Sequence, residues 1–114
     1  MIADKIDIGN SMKEILDYQT KFLLSKSDSE KKKLGQFFTG EIISNYMASL
    51  ISLPTQRSLK VLDAGAGTGI LTASVAFHCL ELGITNLNAD LYEIDEKAIP
   101  YLRKSLEIVK NVFI

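Results

Sequence analysis

Two acids and three glycines are the residues of this 114-residue chain whose spacing could do chemistry. In "VLDAGAGTGIL", residues 61 to 71, Asp63 is followed by glycine at 65, 67 and 69; Glu93 stands 24 positions after Gly69, inside "YEID". Such a turn brings backbone close to a ligand, because a Cβ would fill the space the ligand needs. Three ligands compete for it. A nucleoside triphosphate loop requires lysine and a hydroxyl directly after its last glycine, and here Ile70 and Leu71 follow. A nicotinamide or flavin turn wants glycine or alanine three places after its second glycine, where this chain has the branched Ile70. Asp63 would also set a carboxylate beside the pyrophosphate. The third ligand is S-adenosylmethionine, whose reactive end carries a sulfonium and an ammonium. An acid at the end of a strand then attracts the ligand. Glu93 is placed to accept the two ribose hydroxyls, and Ile94 to offer the adenine ring an apolar face.

Position matters as much as type, so the elements that must hold these residues come next. Residues 59–63 and 86–93 read as strands, the second alternating Leu87, Ala89 and Leu91 on one side. Between them the pattern predicts a helix over about 70–82, closed by Gly83. A last helix runs to about Lys110. Asp95 can cap it, but Pro100 would remove an internal hydrogen bond, so regular helix is expected from about Ile99 with Pro100 in the first turn. Strand, helix, strand, helix implies parallel strands with a right-handed crossover, with the glycine turn at the carboxyl end of a strand. The expected fold class is therefore α/β, with two parallel strands and their helices, preceded by N-terminal helices.

The first part of the chain is simpler. Met12, Ile15, Leu16, Phe22 and Leu23 predict a helix over 10–25. "SKSDSEKKK", residues 25–33, contains no apolar residue and reads as an exposed, mobile hinge. Its Lys31, Lys32 and Lys33 could touch phosphates, although a short charge run is more often a solvated loop. Thr39 can cap a second helix with Glu41 near its positive end. Ile42, Ile43, Tyr46, Met47, Leu50 and Ile51 form one apolar stripe along it, and Pro54 ends it. The division expected is 1–33, a helix and hinge, and 34–114, the ligand-binding part.

Composition bounds the rest. Apolar residues make up 46% and charged residues 24%, as in a globular protein. A net charge of −1 gives no broad basic signature for nucleic acid. The single Cys79 cannot form an internal disulfide and reads as a core thiol. No apolar run reaches 18 residues and no signal-peptide pattern opens the chain, which predicts a cytoplasmic protein with no membrane contact. His78 has no second ligand at useful spacing, so no metal site is expected.

Three blocks together resemble the adenine-specific DNA methyltransferases of restriction–modification systems, in the arrangement with the cofactor region first. "KKLGQFFTGEIISNYM" is similar to that family's amino-terminal cofactor motif, "VLDAGAGTGILTASV" to its glycine motif, and "LYEIDEKAIPYLRKSL" to its ribose-binding acid and following helix. The glycine block is common to methyltransferases of every substrate; "LGQFFT" narrows the choice to DNA adenine. The resemblance implies a partial Rossmann-like S-adenosylmethionine-dependent fold. It implies cofactor contacts from Phe37, Phe38, Thr39, Asp63, Ala64, Gly65, Gly67, Gly69, Glu93 and Ile94. Phe37 or Phe38 would cover the sulfonium with an aromatic face, and Thr39 would meet the methionine carboxylate at a helix start. Gly40 stands where the family commonly has proline. No Asn-Pro-Pro-Tyr-type segment is present, since the prolines are Pro54 and Pro100, and the acid that follows the family's third strand is absent as well. The expectation is a cofactor-binding part without catalytic residues, which meets DNA through the remainder of its parent protein. A non-catalytic cofactor-binding or oligomerisation module is the alternative, as is a methyltransferase fragment for RNA, protein or a small molecule. The apolar edge of the first strand, Leu59, Val61 and Leu62, predicts self-association.

Overall fold

The computed structural model describes residues 4–29, 40–52 and 57–113. Its elements are α1 (Asp4–Leu24), α2 (Glu41–Ser49), β1 (Ser58–Asp63), α3 (Ile70–Glu81), β2 (Asn86–Leu91) and α4 (Ile99–Phe113). The strands are parallel, in register from Ser58 opposite Asn86 to Asp63 opposite Leu91, and form a two-stranded sheet. The chain is thus α/β, as expected from the alternation of elements.

α3 is the hub. Ile70, Thr72 to Phe77 and Cys79 are buried on it, so it is covered nearly all round. On one side Ala73, Ala76 and Phe77 join Met12 and Ile15 of α1 and Val109 of α4, with Leu87 of β2 packed against them. On the other, Val75 and Cys79 meet Ala48 of α2 and Ile84, with Leu59 and Val61 of β1 alongside. Burial pushes the Cys79 thiol above its ordinary pKa, in keeping with a core thiol rather than a nucleophile. The end of α3 shows why Gly83 is there. Its φ of 94° is left-handed, the Gly83 N–H donates to the Leu80 carbonyl, and the Ile84 N–H donates to that of Cys79. Ile84 is thereby delivered into the core beside Cys79. Pro100 lies in the first turn of α4, where its missing N–H removes no internal bond.

Four expectations change. α1 starts six residues earlier than residue 10, at Asp4, since Ile8 still finds the core to pack on. The residue capping α2 is Gly40, with extended backbone and no side-chain bond, and not Thr39. Lys26 is buried, in a segment whose composition reads as exposed; its ammonium lies over the Phe22 ring and meets Asp95. Along β1, Leu59 and Val61 turn inwards on α3, which leaves Leu62 as the exposed apolar residue of the three. Lys31, Lys32, Lys33 and Pro54 lie outside the described residues.

The apolar stripe of α2 faces away from the core. The helix approaches α3 through the small residues Ser44 and Ala48, spaced one turn apart, so their backbones come close. Ile42, Ile43, Tyr46, Met47, Leu50 and Ile51 all stand exposed. No helix among the described residues is long and apolar enough to cross a membrane.

Candidate cofactor site

Parallel pairing puts the carboxyl ends of β1 and β2 side by side, and the chain stitches them together beyond the strands. Tyr92 N–H donates to the Asp63 carbonyl at 2.9 Å, and Ala66 N–H donates to the Tyr92 carbonyl at 3.0 Å. The glycine turn is therefore bonded to the segment that carries Glu93. Gly67 takes a φ of 57°, which a residue with a Cβ adopts reluctantly.

Each acid is half-buried and oriented by the turn or its helix. Thr72 Oγ1, in the first turn of α3, donates to Asp63 Oδ2 at 2.6 Å. The Gly65 N–H reaches Asp63 Oδ1 only at 3.5 Å, a long contact that leaves this oxygen available. Glu93 spans the gap between the strand tips: Oε1 accepts from the Gly67 N–H at 2.7 Å and Oε2 from the Asp95 N–H at 2.8 Å. Each carboxylate oxygen has two acceptor positions, so one remains on each for a ligand. Ala64 and Gly65 are exposed at the tip, as are Tyr92 and Ile94 beside Glu93. A groove of about 270 Å³ opens next to Asp63, lined by Val61, Leu62, Leu71 and Thr72 with Met47 of α2 and Ile51 just past it.

Asp63, Ala64, Gly65, Gly67, Glu93 and Ile94 are thus gathered at one end of the sheet. Gly69 is set apart from them by its packing. A Cβ there would lie 3.1 Å from Leu102 Cδ1 and 3.1 Å from Ser105 Cβ, so close contact with α4 requires the glycine whatever the ligand. Phe37, Phe38 and Thr39 lie outside the described residues. The sequence reading missed Thr72, which orients Asp63, and Tyr92, exposed between the two tips. Thr72 was recoverable as a hydroxyl one turn into the helix that leaves the glycines. Among the described residues no group of three His, Cys, Asp or Glu could hold a metal ion.

Two acceptors at the same strand tips, with bare backbone between them, suit a ligand bearing an ammonium and a diol and disfavour a phosphate. Known proteins resemble this chain in sequence. The chain is 43% identical over 81 residues to the type II methyltransferase M.BsuBI of Bacillus subtilis, covering 71% of this chain and 16% of that protein. It is 34% identical over 80 residues to the type II methyltransferase M.PstI of Providencia stuartii, again 16% of the relative's length. To M.HincII of Haemophilus influenzae, a third type II methyltransferase, it is 35% identical over 74 residues and spans 13%. Over about 70% of its length the chain is thus similar to type II restriction–modification methyltransferases, which supports its being part of one. It matches only a small part of each of these methyltransferases. No family model and no solved structure matches it.

Proposed function

We propose that this chain is the S-adenosylmethionine-binding part of a DNA adenine methyltransferase, built on a partial Rossmann-like fold. The observation that carries this reading is the placement of Asp63 at the end of β1 and Glu93 just past the adjacent end of parallel β2, with the Gly67 N–H of the intervening turn donating to Glu93. When bound, the cofactor supplies an electrophilic methyl group on a sulfonium. Asp63 Oδ1 would accept from the methionine ammonium, and Thr72 keeps the other oxygen engaged so that the carboxylate cannot turn away. Glu93 would accept from the ribose hydroxyls, with Ile94 as the apolar wall for the adenine. Gly65, exposed and without a Cβ, would lie under the ligand. Phe37, Phe38 and Thr39 would close the methionine end, and DNA would be met through residues beyond this segment, in the cytoplasm. The "LGQFFT" block favours adenine in DNA over other methyl acceptors.

Calorimetry tests the reading directly. S-adenosylhomocysteine is expected to bind the purified chain weakly, and Glu93→Ala to weaken binding by about a hundredfold, the loss of two hydrogen bonds to a charged acceptor. Equal affinity for the variant and the parent chain would remove Glu93 from the site. A separate expectation concerns catalysis. These 114 residues contain no Asn-Pro-Pro-Tyr-type segment to hold a base swung out of the duplex, so labelled methyl should not enter unmethylated plasmid DNA. Incorporation above background would show that other residues of this chain take that role.

A further inference from the structure

The segment carrying Glu93 is tethered from the end of the first helix. Lys26, two residues past α1, precedes Asp95 by 69 positions, yet its ammonium meets Asp95 Oδ2 with the two side chains only 1% and 6% exposed. The Lys26 Nζ lies 5.0 Å from the centre of the Phe22 ring, and that ring packs on Tyr101 of α4 at 5.5 Å between centroids. A buried ion pair is a poor source of stability, because desolvation offsets most of the attraction. Its value lies in what it fixes. Asp95 Oδ1 accepts from the Lys97 N–H at 2.9 Å, forming the turn that leads into α4, while the Asp95 N–H donates to Glu93 Oε2. Glu93 Oε1 in turn accepts from Gly67. Lys26, Asp95, Glu93 and Gly67 therefore form one line of polar contacts from α1 to the glycine turn.

We propose that Lys26 is a positioning residue for Glu93: by holding Asp95 it fixes the amide that orients the Glu93 carboxylate towards the ligand. The part of this that concerns a ligand rests on the reading of Glu93 as the ribose acid. The positioning itself can be followed without any ligand. In the isotopically labelled full chain, Lys26→Met is expected to shift the amide resonances of Gly67 and Asp95 and to speed their hydrogen exchange about tenfold, the loss of roughly one charge-assisted hydrogen bond. The amides of Val61 and Ala89, within the sheet, should stay as they are. Lys26→Arg keeps the charge and should restore the Gly67 amide. Because Lys26→Met takes the ammonium away from the buried Asp95 carboxylate, the double variant Lys26→Met with Asp95→Asn removes both charges and should reproduce the same Gly67 shift in a folded chain. An unchanged Gly67 amide in that folded double variant would overturn the proposal.

Titration with S-adenosylhomocysteine separates the two claims. The expected result is about tenfold weaker binding for Lys26→Met, with no further loss when it is added to Glu93→Gln. Undiminished binding by both Lys26→Met and the double variant overturns the positioning role. If no form of the chain binds S-adenosylhomocysteine while the Gly67 amide still responds to Lys26, the ligand reading fails and the positioning stands.

Discussion

Gly69→Ala is expected to lower the stability of the chain by about 3 kcal/mol, whereas Gly65→Ala leaves stability unchanged and weakens cofactor binding. The two glycines sit four residues apart in one turn, and the structure gives them opposite reasons to exist. Gly69 has φ 96° and ψ 9°, a left-handed conformation that costs a residue with a Cβ about 1–2 kcal/mol. The added methyl would also meet Leu102 Cδ1 and Ser105 Cβ at 3.1 Å. Both partners are buried on α4 and one is anchored to its backbone, so overpacking adds roughly 1–3 kcal/mol. A chain of this size has about 5–15 kcal/mol in all, and the urea midpoint should fall markedly. At Gly65 an added Cβ has nothing within 4 Å, and an exposed change of this kind stays within about 0.5 kcal/mol. That open space is where the proposed ligand passes. Gly65→Ala should therefore keep the parent midpoint and lose about tenfold or more in affinity for S-adenosylhomocysteine. Equal midpoints for the two variants would contradict the packing argument; undisturbed binding by Gly65→Ala would move the ligand off the turn.

These two glycines also mark how far the sequence could be read. Alternation of apolar residues located β2, and glycine and proline chemistry placed the ends of α3 and the start of α4, because those signals are local. The pairing of Asp63 with Glu93 at one sheet end was legible for the same reason: a short crossover between two strands permits one handedness. The purpose of Gly69 was not legible, since it depends on Leu102 and Ser105, more than thirty residues away. Lys26 shows the limit more clearly. Its neighbours are polar and the local composition says solvent, but its partner is reached only when α1 lies across α4 and brings Asp95 near. Nor does a helical stripe state which side of α2 meets the core. Ser44 and Ala48 won that contact because small side chains let two helices approach closely, and the larger apolar residues were left outside.

That outward stripe carries the second large effect. The parent chain is expected to self-associate in sedimentation, and replacing Ile42, Tyr46 and Leu50 together by lysine to leave it a monomer with little change in stability. The three residues are 85%, 62% and 64% exposed, follow one another at four-residue steps, and continue through Met47 and Ile51 to the groove beside Leu62. A contiguous apolar surface of this kind marks an interface. The remaining open face of the sheet does not compete for the role: Ser58, Lys60, Asn86, Asn88 and Asp90 are polar and exposed, with Leu62 the apolar exception. The occupant expected is a second copy of the chain. Within α2 the one charged residue is Glu41, at its first position. Two such helices packed antiparallel place these acids at opposite ends, about 12 Å apart along the axis, beyond the screening length of about 8 Å at physiological salt. Their dipoles then oppose as well, and a two-fold axis makes the same stripe serve both partners. Lysine at 42, 46 and 50 would line up like charges across that axis while touching nothing in the core. A parent chain that sediments as a monomer at high concentration would end the proposal. Association that survives the triple variant but is lost with Leu62→Lys would transfer it from α2 to the open edge of β1, where unpaired backbone groups can accept another strand.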